Sequence, residues 1–190
     1  MASTGLAGVR YIIDTRVSQF TVQAFASGLV AVVAHSPKIA IRDWSGDVHM
    51  TANSLQPVGL RVLIKSASLE VLDELGDSDR REIHRVMNQE VLETARYPEI
   101  LYESSEITTE RLREDLYRLR IGGKLTLHGV SDDQPLVSQV SLGADSARAY
   151  GEFSVRQSDY NIRIASIAGG SLKLQDDLKL SFYVVARRQE

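Results

Sequence analysis

Hydrophobic and polar residues alternate with a period of two along most of this chain, and one stretch departs from that rhythm. The clearest run lies within Leu116 to Val130. From Tyr117 to Leu127 every odd position is apolar or glycine (Tyr117, Leu119, Ile121, Gly123, Leu125, Leu127), while the even positions are Arg118, Arg120, Gly122, Lys124 and Thr126. Alternate side chains of an extended chain point to opposite faces, so this is a strand with one dry face. Its unbroken register exceeds the usual strand length of roughly five or six residues, which suits a long, tilted barrel strand. The pair Gly122-Gly123 in its middle weakens pairing but permits a sharp bend or bulge. A curved sheet closing on itself is the expectation.

The same rhythm recurs on both sides. Val9 to Asp14 and Gln19 to Ala26 read as strands joined by a turn at Asp14 to Ser18, with Phe20, Val22 and Ala24 sharing a face. Gly28 to His35 is small and apolar without clean alternation, a short helical turn or buried connector ended by Ser36-Pro37. Lys38 to Met50 reads as extended, and Leu60 to Lys65 as a further strand. Glu99 to Ile107 resumes the pattern after Tyr97-Pro98, and the charged segment Thr108 to Asp115 reads as a hairpin loop. After a polar turn at Ser131 to Pro135 come Leu136 to Leu142, Ala149 to Val155 and Leu178 to Ala186. The last carries Leu180, Phe182, Val184 and Ala186 on one face, and Gly169-Gly170 and Asp176-Asp177 mark turns.

Between Asp77 and Leu92 the period changes to about 3.6, with Ile83, Val86, Met87 and Val91 on one stripe and Asp79 with Glu82 resembling a capping box. One helix among strands, without the regular alternation of a parallel sheet, predicts a mainly β fold. The expected architecture is an antiparallel barrel with one flanking helix.

Composition narrows the function classes. With 190 residues, 43% hydrophobic and 25% charged, the chain fits one domain, residues 1–190, with a real core. A formal net charge of -3 with dispersed cations offers no footprint for nucleic acid or an anionic membrane surface. The absence of cysteine excludes disulfides, a thiolate nucleophile and thiolate metal sites. No run approaches the roughly 20 apolar residues of a transmembrane helix, so no transmembrane segment is expected. The opening MASTGLAGVRYIID has neither the charged start nor the apolar run of a secretory peptide. A cytoplasmic location is therefore expected, with a periplasmic one as the alternative if a leader has been removed. The sequence allows a homodimer without deciding it.

Catalytic constellations are thin. No two of the four histidines, His35, His49, His84 and His128, are spaced His-x-x-x-His, which would put two ligands on one helical face. Ser18 and Ser158 lack the Gly-x-Ser-x-Gly elbow that would expose a nucleophile. His128, before Gly129 at the end of the central strand, reads as a turn-stabilising hydrogen bonder rather than a ligand or base. Arg156 and Asp159 read as a buried pair tying a loop to the barrel.

Four motifs in order carry a family resemblance. They are Tyr11-Ile12-Ile13-Asp14; Tyr97-Pro98-Glu99-Ile100 after the helix; Gly123 through Val130 (GKLTLHGV); and Arg156-Gln157-Ser158-Asp159-Tyr160. On these the chain resembles the YceI-like family of polyisoprenoid-binding proteins across Tyr11 to Ala186. The resemblance implies a single YceI-like domain, a lipocalin-like antiparallel barrel whose lumen holds the tail of a long isoprenoid amphiphile, with no enzymatic activity. A closed barrel of about eight strands has an interior sized for side chains or one small ligand, which agrees with that chemistry. The candidate ligand-binding residues are Phe20, Val22, Ile100, Tyr102, Leu119, Ile121, Leu125, Leu127, Phe182 and Val184. Each of them reads equally as plain core. No cofactor is expected beyond a bound isoprenoid or quinone-like lipid. The partner would be that lipid or another long-chain one, and the competing reading is a hydrolase or metal-dependent enzyme using His128 or His35 at the barrel mouth.

Overall fold

Parity along the central run separates lumen from solvent: Ile121, Gly123, Leu125 and Leu127 are buried, and Arg120 and Lys124 are exposed. This strand and its neighbours are seen in a computed structural model that describes residues 8–27, 37–50, 57–74, 76–164, 166–167 and 172–189. The connector expected at Gly28 to His35 and the turn at Gly169-Gly170 lie outside the described residues.

In chain order, β1 is Val9–Ile13, β2 Gln19–Gln23, β3 Ala26–Ser27, β4 Lys38–Ile41 and β5 Trp44–Met50. Then come β6 (Pro57–Lys65), β7 (Leu69–Val71) and the helix α1 (Asp77–Val86), which runs on as a wider π-helical turn, Met87–Val91. The strands β8 (Glu99–Arg113), β9 (Leu116–Leu127), β10 (Val130–Asp133), β11 (Leu136–Leu142) and β12 (Ser146–Arg156) follow. The short pieces β13 (Ser166–Ile167) and β14 (Leu172–Leu174) precede the last strand, β15 (Asp177–Arg188).

Around the barrel the order is β1, β5, β6, β8, β9, β11, β12, β15, all antiparallel, and β15 pairs back onto β1 to close an eight-stranded ring. Three of these strands are broken midway and continue as β2, β4 and β7, which pair side by side beyond the breaks. Apart from the barrel, β3, β14 and β13 form a small sheet that the alternation did not foretell.

The breaks explain how the wall bends without leaving backbone groups unpaired. The strand β15 pairs with β1 through Ala186 and with β2 through Tyr183, and the gap between them is bridged by Ser18. Its hydroxyl donates to the Asp14 carbonyl at 2.7 Å and accepts the Val185 amide at 2.9 Å, in place of a missing ladder bond. Asp14 fixes the bulge from the side, accepting from Arg16 Nε and Nη2, each at 3.0 Å, and from Arg187 Nε at 3.1 Å. On the next two strands the chain turns together: Lys65 N–H donates to the Asp43 carbonyl at 2.9 Å and Arg42 N–H to the Ser68 carbonyl at 3.2 Å.

Several expectations are corrected by the structure. Thr108 to Arg113 is not loop but the far half of β8, paired with Leu116 to Arg120, and only Glu114-Asp115 turn. Apart from Thr109 its side chains are exposed, which removes the pressure for apolar alternation, so pattern alone missed it. Of the turn expected at Ser131 to Pro135, Ser131 to Asp133 instead belong to the strand β10, paired with β9. The reversal is made by His128 (φ 51°) and Gly129 (φ 76°), both left-handed as a tight two-residue hairpin requires. The bulge expected at Gly122-Gly123 lies on the partner strand, where Ser105 is the extra residue opposite the glycine pair. Asp79 and Glu82 form no capping box: α1 begins at Asp77 after Gly76, without a side-chain cap, and Glu82 turns to Arg85. Arg156 reaches not Asp159 but Asp176 and Asp177, at 3.7 and 3.9 Å, and is exposed rather than buried.

One apolar cluster lines the ring, taking Trp44, Ile64 and Ile100 from the strands and Met87 and Leu92 from the end of the helix. Among the described residues no helix is long and apolar enough to cross a membrane.

Candidate functional site

An elongated apolar cavity of about 480 Å³ runs inside the barrel. Its wall extends along β9 from Tyr117 to Leu127. Ten rises of roughly 3.3 Å, foreshortened by a strand tilt of roughly 40°, make this about 25 Å along the barrel axis. At one end of the described lining stand Met50, Pro57, Leu142 and Ala147. At the other the apolar stripe of the helix, Ile83, Val86, Met87 and Val91, lies across the opening between strands. The volume falls within the roughly 300–1,000 Å³ typical of small-molecule sites.

Every residue proposed from the sequence stands on this wall. Phe20 and Val22 come from β2; Ile100 and Tyr102 from β8; Leu119, Ile121, Leu125 and Leu127 from β9; Phe182 and Val184 from β15. Val22, Ile100, Tyr102, Ile121, Leu125, Leu127 and Val184 are buried, whereas Phe20, Leu119 and Phe182 are half-buried. The rings of Phe20 and Phe182 lie 5.7 Å apart, and Trp44 packs edge-on to Phe20 at 4.7 Å. The sequence reading did not assign the helix stripe to the lining, although its 3.6 period already marked one face as apolar. The polar points Thr109, Ser138 and Gln157 were also missed, because each interrupts an apolar pattern and only the closed ring shows that it faces inward.

Of the polar side chains on the wall, three are spent on the wall itself, while the buried Thr109 hydroxyl has no hydrogen-bond partner among the described residues. Tyr102 donates to the Gln134 carbonyl at 3.1 Å, Ser138 to the Tyr150 carbonyl at 3.1 Å and Gln157 Nε2 to the Gln175 carbonyl at 2.9 Å. Burial pushes the Tyr102 phenol up to about 12, so it is a neutral donor at physiological pH. Tyr102 also explains Gly123. A Cβ there would sit 2.6 Å from both the Tyr102 hydroxyl and the Glu103 carbonyl, so the missing side chain lets the tyrosine ring cross the strand.

Among the described residues, charge reaches the cavity at the helix. Arg85 donates to Glu82 through Nε at 2.9 Å and Nη2 at 2.8 Å, and to Glu90 through Nη1 at 2.8 Å. These three are the charged residues of the described lining. The bidentate contact holds the Glu82 carboxyl below its usual range.

The histidines are elsewhere. His128 is outside the described lining, with Nε2 at 2.8 Å from Glu93 Oε2 and Nδ1 at 3.2 Å from the Tyr160 carbonyl. Its ring packs on Tyr97 at 4.4 Å, and it joins the hairpin to the segments after the helix and after β12. The bulk of Tyr97 also bars a side chain at Gly129, whose Cβ would lie 2.6 Å from the ring. His49 is exposed and bonds Asp47 at 2.7 Å on the outer wall; His84 rides on α1, and His35 is outside the described residues. Among the described residues no three His, Asp or Glu side chains are grouped to hold a metal ion.

Comparison with known proteins follows the same lines. The family described as YceI-like domain matches residues 11–186. No curated protein matches the sequence. Among solved structures, BcnA of Burkholderia cenocepacia superposes with a TM-score of 0.68 at 19% identity, covering 91% of this chain and 98% of its own. A polyisoprenoid binding domain from Saccharophagus degradans, implicated in plant cell wall breakdown, gives 0.69 at 14% identity, covering 94% and 98%. The Campylobacter jejuni YCEI protein gives 0.62 at 21% identity, covering 83% and 88%. At these identities the likeness speaks for the fold.

Proposed function

The chain belongs to the YceI-like domain family, and from that premise we propose that it is a non-enzymatic binding or carrier protein for a polyisoprenoid or similar long-chain amphiphilic lipid. The observation that carries the reading is the shape and chemistry of the lumen: long, narrow and apolar, about 480 Å³ in volume. Such a wall offers dehydration and dispersion rather than directed chemistry. The engagement of both His128 ring nitrogens, outside the described lining, supports a binding role over a hydrolytic one.

A chain of modest length already suffices for binding. Micromolar affinity needs roughly 8 kcal/mol beyond an association cost of at least about 4 kcal/mol. At about 0.8 kcal/mol per buried methylene, some fifteen carbons, or three isoprene units, supply that sum. The test is the composition of the purified protein: solvent extraction and mass spectrometry should recover a long-chain lipid near one per monomer. An extract free of lipid, from protein that also fails to take up an added prenyl chain, would overturn the reading. A stoichiometric metal found by elemental analysis would favour the enzymatic alternative.

A further inference from the structure

We propose that the cavity takes amphiphiles with an uncharged head, such as a prenyl alcohol or a quinone, and discriminates against phosphorylated or ionised ones. This rests on the carrier reading and adds the class of headgroup to it. Cations are scarce around the cavity. Arg85 is the one lysine or arginine in the described lining, and its guanidinium is already held by two carboxylates, Glu82 at two points and Glu90 at one.

An anionic head is disfavoured both in the lumen and at the helix end. Drawn into the lumen, it would meet apolar side chains, the spent donors of Tyr102, Ser138 and Gln157 and one neutral hydroxyl, Thr109, with no cation of the described lining there to neutralise it. Left at the helix, it would compete with Glu82 and Glu90 for Arg85 and face their like charge at close range. An uncharged head meets neither obstacle. A hydroxyl there would find carboxylate oxygens to accept its hydrogen bond. The same charge arrangement separates prenyl alcohols from ionised fatty acids, which the apolar wall alone does not do, since dehydration acts on any hydrocarbon.

The single tryptophan, Trp44, packs on the cavity-lining Phe20 and reports occupancy by its fluorescence. Titrations with geranylgeraniol and with geranylgeranyl diphosphate should give binding of the alcohol and a dissociation constant roughly tenfold or more weaker for the diphosphate. Added salt should narrow that gap. The double variant Glu82→Gln with Glu90→Gln frees Arg85 on an exposed helix and should bring the two constants to within roughly threefold. Its thermal midpoint and circular dichroism check that it stays folded. Diphosphate binding as tightly as the alcohol to the parent protein overturns the proposal, as does an unchanged gap in the folded double variant. Failure of both probes to bind the parent sinks the carrier reading itself, and the headgroup assignment with it.

Discussion

Replacing Gly123 by alanine should destabilise the barrel, whereas the same change at Gly122, one residue away, should not. The clash is specific: the new methyl at residue 123 would lie 2.6 Å from the Glu103 carbonyl and 2.6 and 2.8 Å from the Tyr102 hydroxyl and its ring carbon. Neither neighbour yields cheaply. Glu103 is locked in the ladder between β6 and β9, and the Tyr102 hydroxyl is anchored to the Gln134 carbonyl. Overpacking of this kind costs roughly 1–3 kcal/mol. Displacing the tyrosine would forfeit about another 1 kcal/mol of hydrogen bonding. Alanine returns roughly 0.4–1 kcal/mol by restricting the unfolded chain. The net loss is therefore about 1–3 kcal/mol, which for a chain of this length lowers Tm by roughly 2–12 °C. At Gly122 the nearest atom is Ser105 Oγ at 3.4 Å, an ordinary contact, so only the unfolded-state gain operates and Tm should hold or rise by a degree or two. Thermal melts followed by circular dichroism read both. Tyr102→Phe combined with Gly123→Ala should recover part of the loss, because it removes one of the three clashing atoms. Equal effects at the two glycines, or an unchanged Tm for Gly123→Ala, would refute this account of how Tyr102 crosses the strand.

Three further outcomes follow from the geometry. Leu125→Trp should expel bound lipid and cost roughly 1–3 kcal/mol through overpacking, while Lys124→Gln, which loses only an exposed ion pair with Asp133, should leave both lipid content and Tm near the parent values; equal lipid recovery would place the ligand away from β9. His128→Gln should lower Tm by a few degrees through loss of its contacts to Glu93 and the Tyr160 carbonyl, yet retain lipid, as extraction would show. Asp14→Asn should have a pH-dependent cost. Arg16 first, and then Arg187, hold the Asp14 carboxyl well below the usual carboxylate range, so its contribution is present in full above the unfolded value of roughly 4 and is lost as acid protonates it. The Tm gap between parent and variant should be widest near neutral pH and narrow progressively in acid; a gap constant from pH 7 to pH 3 would refute that role.

Local pattern and tertiary closure contributed differently to what can be said of this protein. Period two along Tyr117 to Leu127 and Leu178 to Ala186 already divided wet from dry faces, because alternation follows from backbone geometry wherever one face is buried. The helical stripe of Ile83, Val86, Met87 and Val91 was legible for the same kind of reason. The far half of β8 and the strand β10 were not: apart from Thr109, which lines the cavity, and Val130, which packs on the core, their side chains stand outside it and are free to be polar on both faces. The site shows the same division. Wall residues such as Phe20, Leu119, Ile121, Leu125 and Phe182 could be named from parity, but parity cannot tell an inward side chain that fills space from one that borders a cavity, since that depends on how many strands close the ring. Only closure of β15 onto β1 sets the diameter and leaves about 480 Å³ open. Closure also decides which polar residues face inward and lays the helix across one end. That brings Glu82, Arg85 and Glu90 to the cavity, an arrangement settled by three-dimensional packing and not by spacing along the chain.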